Sequence, residues 1–129
     1  MPRTLLLIVL ALAAVLELGL ASGAFFMPAL TLAQFGVTYG PETKFLTYIT
    51  AWFLLLVTLL ALLAFGQVQR RRRGYAGPCY LLGLWWIGLG VGIYVAFGRP
   101  DNLLLDSAKG LLIVVLTWRC QAGGLQLRR

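Results

Sequence analysis

The chain has 129 residues, of which 60% are hydrophobic and 12% charged, with a formal net charge of +7 and no histidine. Soluble domains run at roughly 45–50% apolar and roughly 25% charged residues. One small aqueous core could not hide this many leucines, so a lipid solvent is the economical explanation. The missing histidines remove histidine-ligated haem, most zinc chemistry and the usual general base, and no metal or cofactor is expected.

In a soluble protein a charge of +7 would point to nucleic acid. Here the basic residues lie between and beyond apolar runs, which points to membrane topology and to no nucleic-acid partner. A transmembrane helix needs roughly 20 mostly apolar residues. Four runs qualify, giving an all-α, single-domain, integral membrane four-helix bundle over 1–129. The first, Leu5–Phe26, has only Glu17 as a charge. Its Arg3, leucine run and Ala21-Ser22-Gly23-Ala24 imitate a secretory signal, but Glu17 and the length argue for a retained span.

The loop Met27–Phe45 is more than a linker. Pro28 suits the first position of a helix, Gly36 suits its stop, and Leu30, Leu32 and Phe35 are apolar between them. A short helix at the outer membrane interface is expected there. Gly40-Pro41 then turns the chain into the second span, Leu46–Phe65, which carries no charge. Its stripe Thr47, Thr50, Ala51, Leu54, Thr58 and Ala61 is small and hydroxyl-bearing. Such a stripe is suited to pack inward and hydrogen-bond across helices.

The connection Gly66–Cys79 contains Arg70, Arg71, Arg72 and Arg73. The third span is Tyr80–Phe97, followed after a short outer turn by the fourth, Leu103–Trp118. The short turn makes spans three and four antiparallel neighbours. Arg3, Arg70–Arg73, Arg119, Arg128 and Arg129 share one side, and Lys44 and Arg99 lie on the other. Eight against two places both termini in the cytoplasm. Arg70–Arg73 serve as topology anchors in the plainer reading and as contacts for anionic lipid headgroups in the sharper one.

Lipid tails are as apolar as leucine, so small residues mark helix interfaces. Gly19 and Gly23 form one GxxxG, and Gly88 and Gly92 another, with Gly83 and Gly90 on a second face of span three. The expectation is packing within the bundle, with a homodimer face as the alternative. Cys79 and Cys120 form no CxxC and read as small apolar fillers on the reducing side of the membrane.

Three ionisable residues fall within spans, namely Glu17, Asp106 and Lys109. Each costs about 2.5–3.5 kcal/mol near a helix centre on insertion scales, so the fourth span needs partners. Asn102, Asp106, Lys109, Gly110, Ile113 and Thr117 form one stripe at helical spacing, and Asp106 and Lys109 can pair three residues apart. Glu17 shares its face with Ala13, Ala14, Ala21 and Ala24. Depth predicts that Glu17 meets Lys109, with Asp106 nearby, toward the outer side. The cluster is either a staple that fixes helix register or a polar site for a proton, ion or small ligand.

The Leu/Ala-rich first span with Glu17 and Gly19, the exit Phe26-Met27-Pro28, the turn Phe35-Gly36-Val37 and the polar-faced fourth span together resemble the DoxX-like superfamily of small bacterial four-helix membrane proteins. Some members are similar to subunits or accessories of redox enzymes. The resemblance implies a multi-pass protein of the bacterial inner membrane. It transfers no catalytic residue, and the leading expectation is a non-enzymatic accessory or assembly module, as a homodimer or in a larger membrane complex, with a small or lipid-like ligand at the Glu17, Asp106 and Lys109 cluster. Ala13-x-x-x-Glu17 is also similar to the acidic first span of small multidrug exporters. The alternative function is therefore a dimeric, proton-coupled transporter of small organic cations working through Glu17. An enzyme acting on a lipid or quinone would need a nucleophile, metal site or redox pair that the sequence does not offer.

Overall fold

A computed structural model of the chain is all-α, and the structure describes residues 1–126. Arg128 and Arg129, two of the arginines in the charge asymmetry, lie outside the described residues. Five helices follow one another: α1 (Pro2–Phe26), α2 (Pro28–Ala33), α3 (Pro41–Gln69), α4 (Ala76–Phe97) and α5 (Pro100–Gln126). Helices α1, α3 and α4, of 25, 29 and 22 residues, are long and apolar enough to cross a membrane. α5 is long enough at 27 residues, but Asp101, Asp106, Lys109 and Arg119 keep it out of that apolar class.

The exposed surfaces of the three apolar helices are leucine, valine and aromatic residues, among them Leu12, Val15, Leu16, Phe53, Leu56, Leu81, Leu84 and Val95. Water-soluble monomers do not present apolar area on this scale. Composition, helix length and surface all point to a membrane protein.

The helix ends follow local chemistry. α2 begins with Pro28 in its first turn, where the missing N–H costs nothing. It closes with the amides of Gly36 and Val37 donating to the carbonyls of Ala33 and Leu32, while Gly36 takes φ +71°. This is a Schellman closure, with glycine in the left-handed position that disfavours a Cβ. The short helix expected from Pro28 and Gly36 is thus present. At the start of α3 the Gly40 amide donates to Thr43 Oγ1 at 2.9 Å, and Glu42 sits at the positive end of the helix dipole.

The chain divides into two compact units, one formed by 12–59 and the other by 1–11 together with 60–129. In the 12–59 unit, α1 buries Ala13, Ala14, Glu17, Ala21 and Ala24, which is the face expected to carry Glu17. The ring of Phe25 meets Trp52 edge-on at 5.6 Å between centroids and Tyr48 at 6.3 Å. Such pairs contribute about 0.5–1.5 kcal/mol beyond their burial. Thr47, Ala51, Val57 and Thr58 are the buried positions of α3 in this unit.

The hydroxyl stripe of α3 behaves differently from expectation. Thr47, Thr50 and Thr58 donate to the carbonyls of Thr43, Leu46 and Leu54 at 2.8, 2.8 and 2.9 Å. Each bond runs one turn back along the same helix rather than across to a neighbour. A threonine hydroxyl can always reach its own i−4 carbonyl, and in an apolar solvent the nearest acceptor wins.

In the other unit α4 and α5 pack as an antiparallel hairpin. α4 stops at Gly98, whose φ of +64° lets its amide close onto the Tyr94 carbonyl at 2.8 Å. Pro100 opens α5 two residues later. At the far end Tyr80 Oη donates to Gln121 Oε1 at 2.7 Å, fixing the register. Between them the seam is floored by glycine. A Cβ on Gly83 would lie 2.7 Å from Val114 Cγ2 and 2.9 Å from the Gly110 carbonyl. One on Gly90 would lie 2.7 Å from Ser107 Oγ, and one on Gly110 would run into the Gly83 carbonyl and the Ile87 backbone.

The two GxxxG pairs do not carry this packing. A Cβ on Gly19, Gly88 or Gly92 would meet nothing within 4 Å among the described residues, and one on Gly23 would meet only Thr31 Oγ1, at 3.2 Å. Gly88 and Gly92 instead floor an open apolar groove of about 450 Å³ walled by Leu84, Trp85, Leu89, Ile93 and Phe97. Close approach needs a small residue at the matching height of the partner. α5 supplies that at Gly110, opposite Gly83 and not opposite Gly88.

The N-terminus closes onto α3 in the same unit. Arg3 Nε and Nη2 donate to the carbonyls of Val68 and Gln69 at 3.2 and 2.6 Å. A guanidinium there satisfies two of the last-turn carbonyls and faces the negative end of the helix dipole. Leu6 and Leu10, one and two turns further on, are fully buried.

Candidate functional site

Helix α5 presents the stripe read from its sequence. Gly110, Ile113 and Thr117 are buried, while Asn102, Asp106 and Lys109 are partly buried toward the N-terminal end of the helix. Lys109 Nζ donates to Asp106 Oδ1 at 3.0 Å, and their side chains are only 19% and 15% exposed. The pairing expected from the three-residue spacing is therefore present. One helical turn brings the two head groups together, and the ammonium has shed most of its water to reach the carboxylate.

The second partner of Lys109 was not legible in the sequence. Its Nζ lies 4.2 Å from the ring centroid of Trp86, a side chain with no exposed surface. An indole face offers negative charge density, and a desolvated cation over it gains about 2 kcal/mol or more. Trp86 stands between Gly83 and Gly90 on the seam face of α4. Those glycines bring the backbones close enough for the indole to lie against α5. The signal was the position of Trp86, three residues after one seam glycine and four before the other, but three further tryptophans in the chain compete for the role.

Ser107 adds a third polar group. Its Oγ is buried at the Gly90 contact and has no hydrogen-bond partner among the described residues. A buried hydroxyl left so costs about 1–3 kcal/mol, which a polar guest or a water molecule would recover. Asp106, Ser107 and Lys109 thus line one stretch of α5 opposite Trp86 and Gly90. The stretch can hold a cation and an anion as a pair, or exchange one member of the pair for a small polar ligand.

The expected site residues fall in both compact units. Asp106 and Lys109 meet in the hairpin unit. Glu17 belongs to the 12–59 unit, where it is 1% exposed on its alanine face. No group of three or more metal-binding side chains occurs among the described residues.

The cysteines lie at the opposite end of the hairpin as free thiols, Cys79 buried and Cys120 half-buried. Burial pushes the Cys120 thiol up, against the opposing pull of the N-terminal amine and Arg3. Burial likewise raises the Tyr75 phenol. A thiol held protonated is a poor nucleophile, in keeping with a packing role. No protein-family model, curated protein or solved structure matches this chain.

Proposed function

We propose that the chain is a small non-enzymatic module of the bacterial inner membrane, an accessory or assembly subunit that binds a small polar or lipid-like ligand at Asp106 and Lys109. In this reading α5 is the fourth span, both termini are cytoplasmic, and the site opens toward the outer face. The resemblance to DoxX-like proteins supports the accessory role, and the surviving arginine asymmetry supports the orientation.

The observation that carries the proposal is the Lys109–Asp106 pair against the Trp86 ring, on a seam closed by Gly83, Gly90 and Gly110. Ionisable groups at membrane depth are costly, and they mark binding or transport paths by default. Native mass spectrometry of the full chain, extracted in mild detergent from bacterial membranes, tests it. A retained adduct of defined mass is expected on the wild type and absent from Lys109→Met. Absence of any adduct from both would sink the ligand reading and leave the pair as a staple.

The burial of Glu17 among alanines gives the transporter reading its one point of support. That reading requires a dimer in which Glu17 exchanges a proton with the solvent. A monomer in detergent with pH-independent spectra for wild type and Glu17→Gln removes it.

A further inference from the structure

The end of α3 repeats the closure seen at the end of α2, with one residue out of place. The Arg71 amide donates to the Val68 carbonyl at 3.2 Å and the Arg72 amide to the Gln67 carbonyl at 3.0 Å. This is again the Schellman pattern. The left-handed position that α2 gives to Gly36 is here held by Arg71, at φ +52°. A non-glycine residue there costs about 1 kcal/mol of backbone strain. Strain held where glycine would relieve it points to a use for the side chain.

The surroundings say what that use is. Arg70, Arg71, Arg72 and Arg73 are all exposed, and among the described residues none of their guanidiniums has an ion-pair or hydrogen-bond partner. The chain has four acidic side chains. Asp101 is paired with Arg99, Asp106 with Lys109, Glu17 is buried within α1, and Glu42 opens α3, some eight turns from its arginine end. The last carbonyls of α3, the nearest negative dipole, are already taken by Arg3. Four adjacent positive charges therefore stand without a counter-charge among the described residues. They stand on the loop that joins two helices long and apolar enough to cross a membrane.

We infer that Arg70–Arg73 form a docking surface for anionic phospholipid headgroups, with the left-handed turn at Arg71 presenting the cluster to the phosphate layer. Guanidiniums bind phosphate oxygens through paired N–H donors, and a loop between two spans lies at headgroup depth. A pure topology signal needs the charges but not their placement on a strained turn. The inference rests on α3 and α4 being spans and is independent of the Asp106–Lys109 site.

The test uses the purified full chain in mild zwitterionic detergent, where orientation no longer matters, titrated with phosphatidylglycerol or phosphatidylcholine. Native mass spectrometry reads the bound lipid, and the thermal midpoint reads the fold. Preferential, salt-sensitive binding of phosphatidylglycerol is expected. Arg71→Gly should weaken it about fivefold while raising the thermal midpoint, because strain is released as a charge is lost. Replacing all four arginines by glutamine should abolish the preference, and replacing them by lysine keeps the charge if the glutamine variant does not fold. Equal binding of the two lipids by the wild type would overturn the proposal. So would an Arg71→Gly variant that binds as the wild type does. Loss of Lys109-dependent ligand with phosphatidylglycerol binding intact would count against the hairpin site alone.

Discussion

Two faces of α4 carry glycine, and they do opposite things. Gly83 and Gly90, seven residues apart, let α5 approach until an added Cβ would collide with its backbone. Gly88 and Gly92, four apart in the recognised GxxxG spacing, open onto an unfilled groove. The difference lies in what stands across from them. Gly110 and the indole of Trp86 complete the first face, and the charged pair of α5 sits on the same seam. Spacing within one helix shows where close packing could occur, and the small residue of a second helix decides where it does.

Filling the seam should cost most. Gly110→Leu forces a side chain against the Gly83 carbonyl and the Ile87 backbone, and should destabilise the fold by about 3 kcal/mol or more. Unfolding by SDS in mixed micelles reads this, and a loss under about 1 kcal/mol would break the distinction between the faces. Lys109→Met comes next. It leaves Asp106 partly buried without its cation, at about 3 kcal/mol, and adding Asp106→Asn should recover most of the loss. If the double variant is no better than the single one, the pair is not what stabilises the seam. Gly90→Ala should cost about 1–2 kcal/mol, since Ser107 Oγ can rotate away but the Ser107 amide cannot.

The smallest effect belongs to the open face. Gly88→Ala with Gly92→Ala should leave stability unchanged or raise it by up to about 1 kcal/mol, through helix propensity alone. Size-exclusion chromatography with light scattering sharpens the point. The expected result is the same oligomeric state for wild type and variant. A dimer lost on this substitution would make the groove a second seam, completed by another copy.

Much of this was legible in the sequence, for reasons tied to particular residues. Pro28 and Gly36 bracket a helix because their backbone preferences are local. The α5 stripe is legible because Asp106 and Lys109 break an apolar background, so period and polarity coincide. α4 offers no such contrast. Its residues are apolar on every side, and in lipid that pattern carries no inward direction. Both glycine faces could be read from spacing, and which of them meets α5 had to come from three dimensions. The threonines of α3 turn back because their own i−4 carbonyls are the nearer acceptors, which a stripe of residue types does not reveal. The Arg3 closure onto Val68 and Gln69, like the turn at Arg71, depends on backbone geometry that residue identity does not announce.

The two-residue link of Gly98 and Arg99 sets a timetable as well as a geometry. α5 leaves the ribosome after α4, and with its acid and lysine it partitions poorly by itself. A link of two residues keeps α5 beside α4, so that Lys109 has the indole of Trp86 and the Asp106 carboxylate within reach without a search. Lengthening that link would bring the search back. The hairpin would then depend on the insertion machinery to hold α5 until its partner was found.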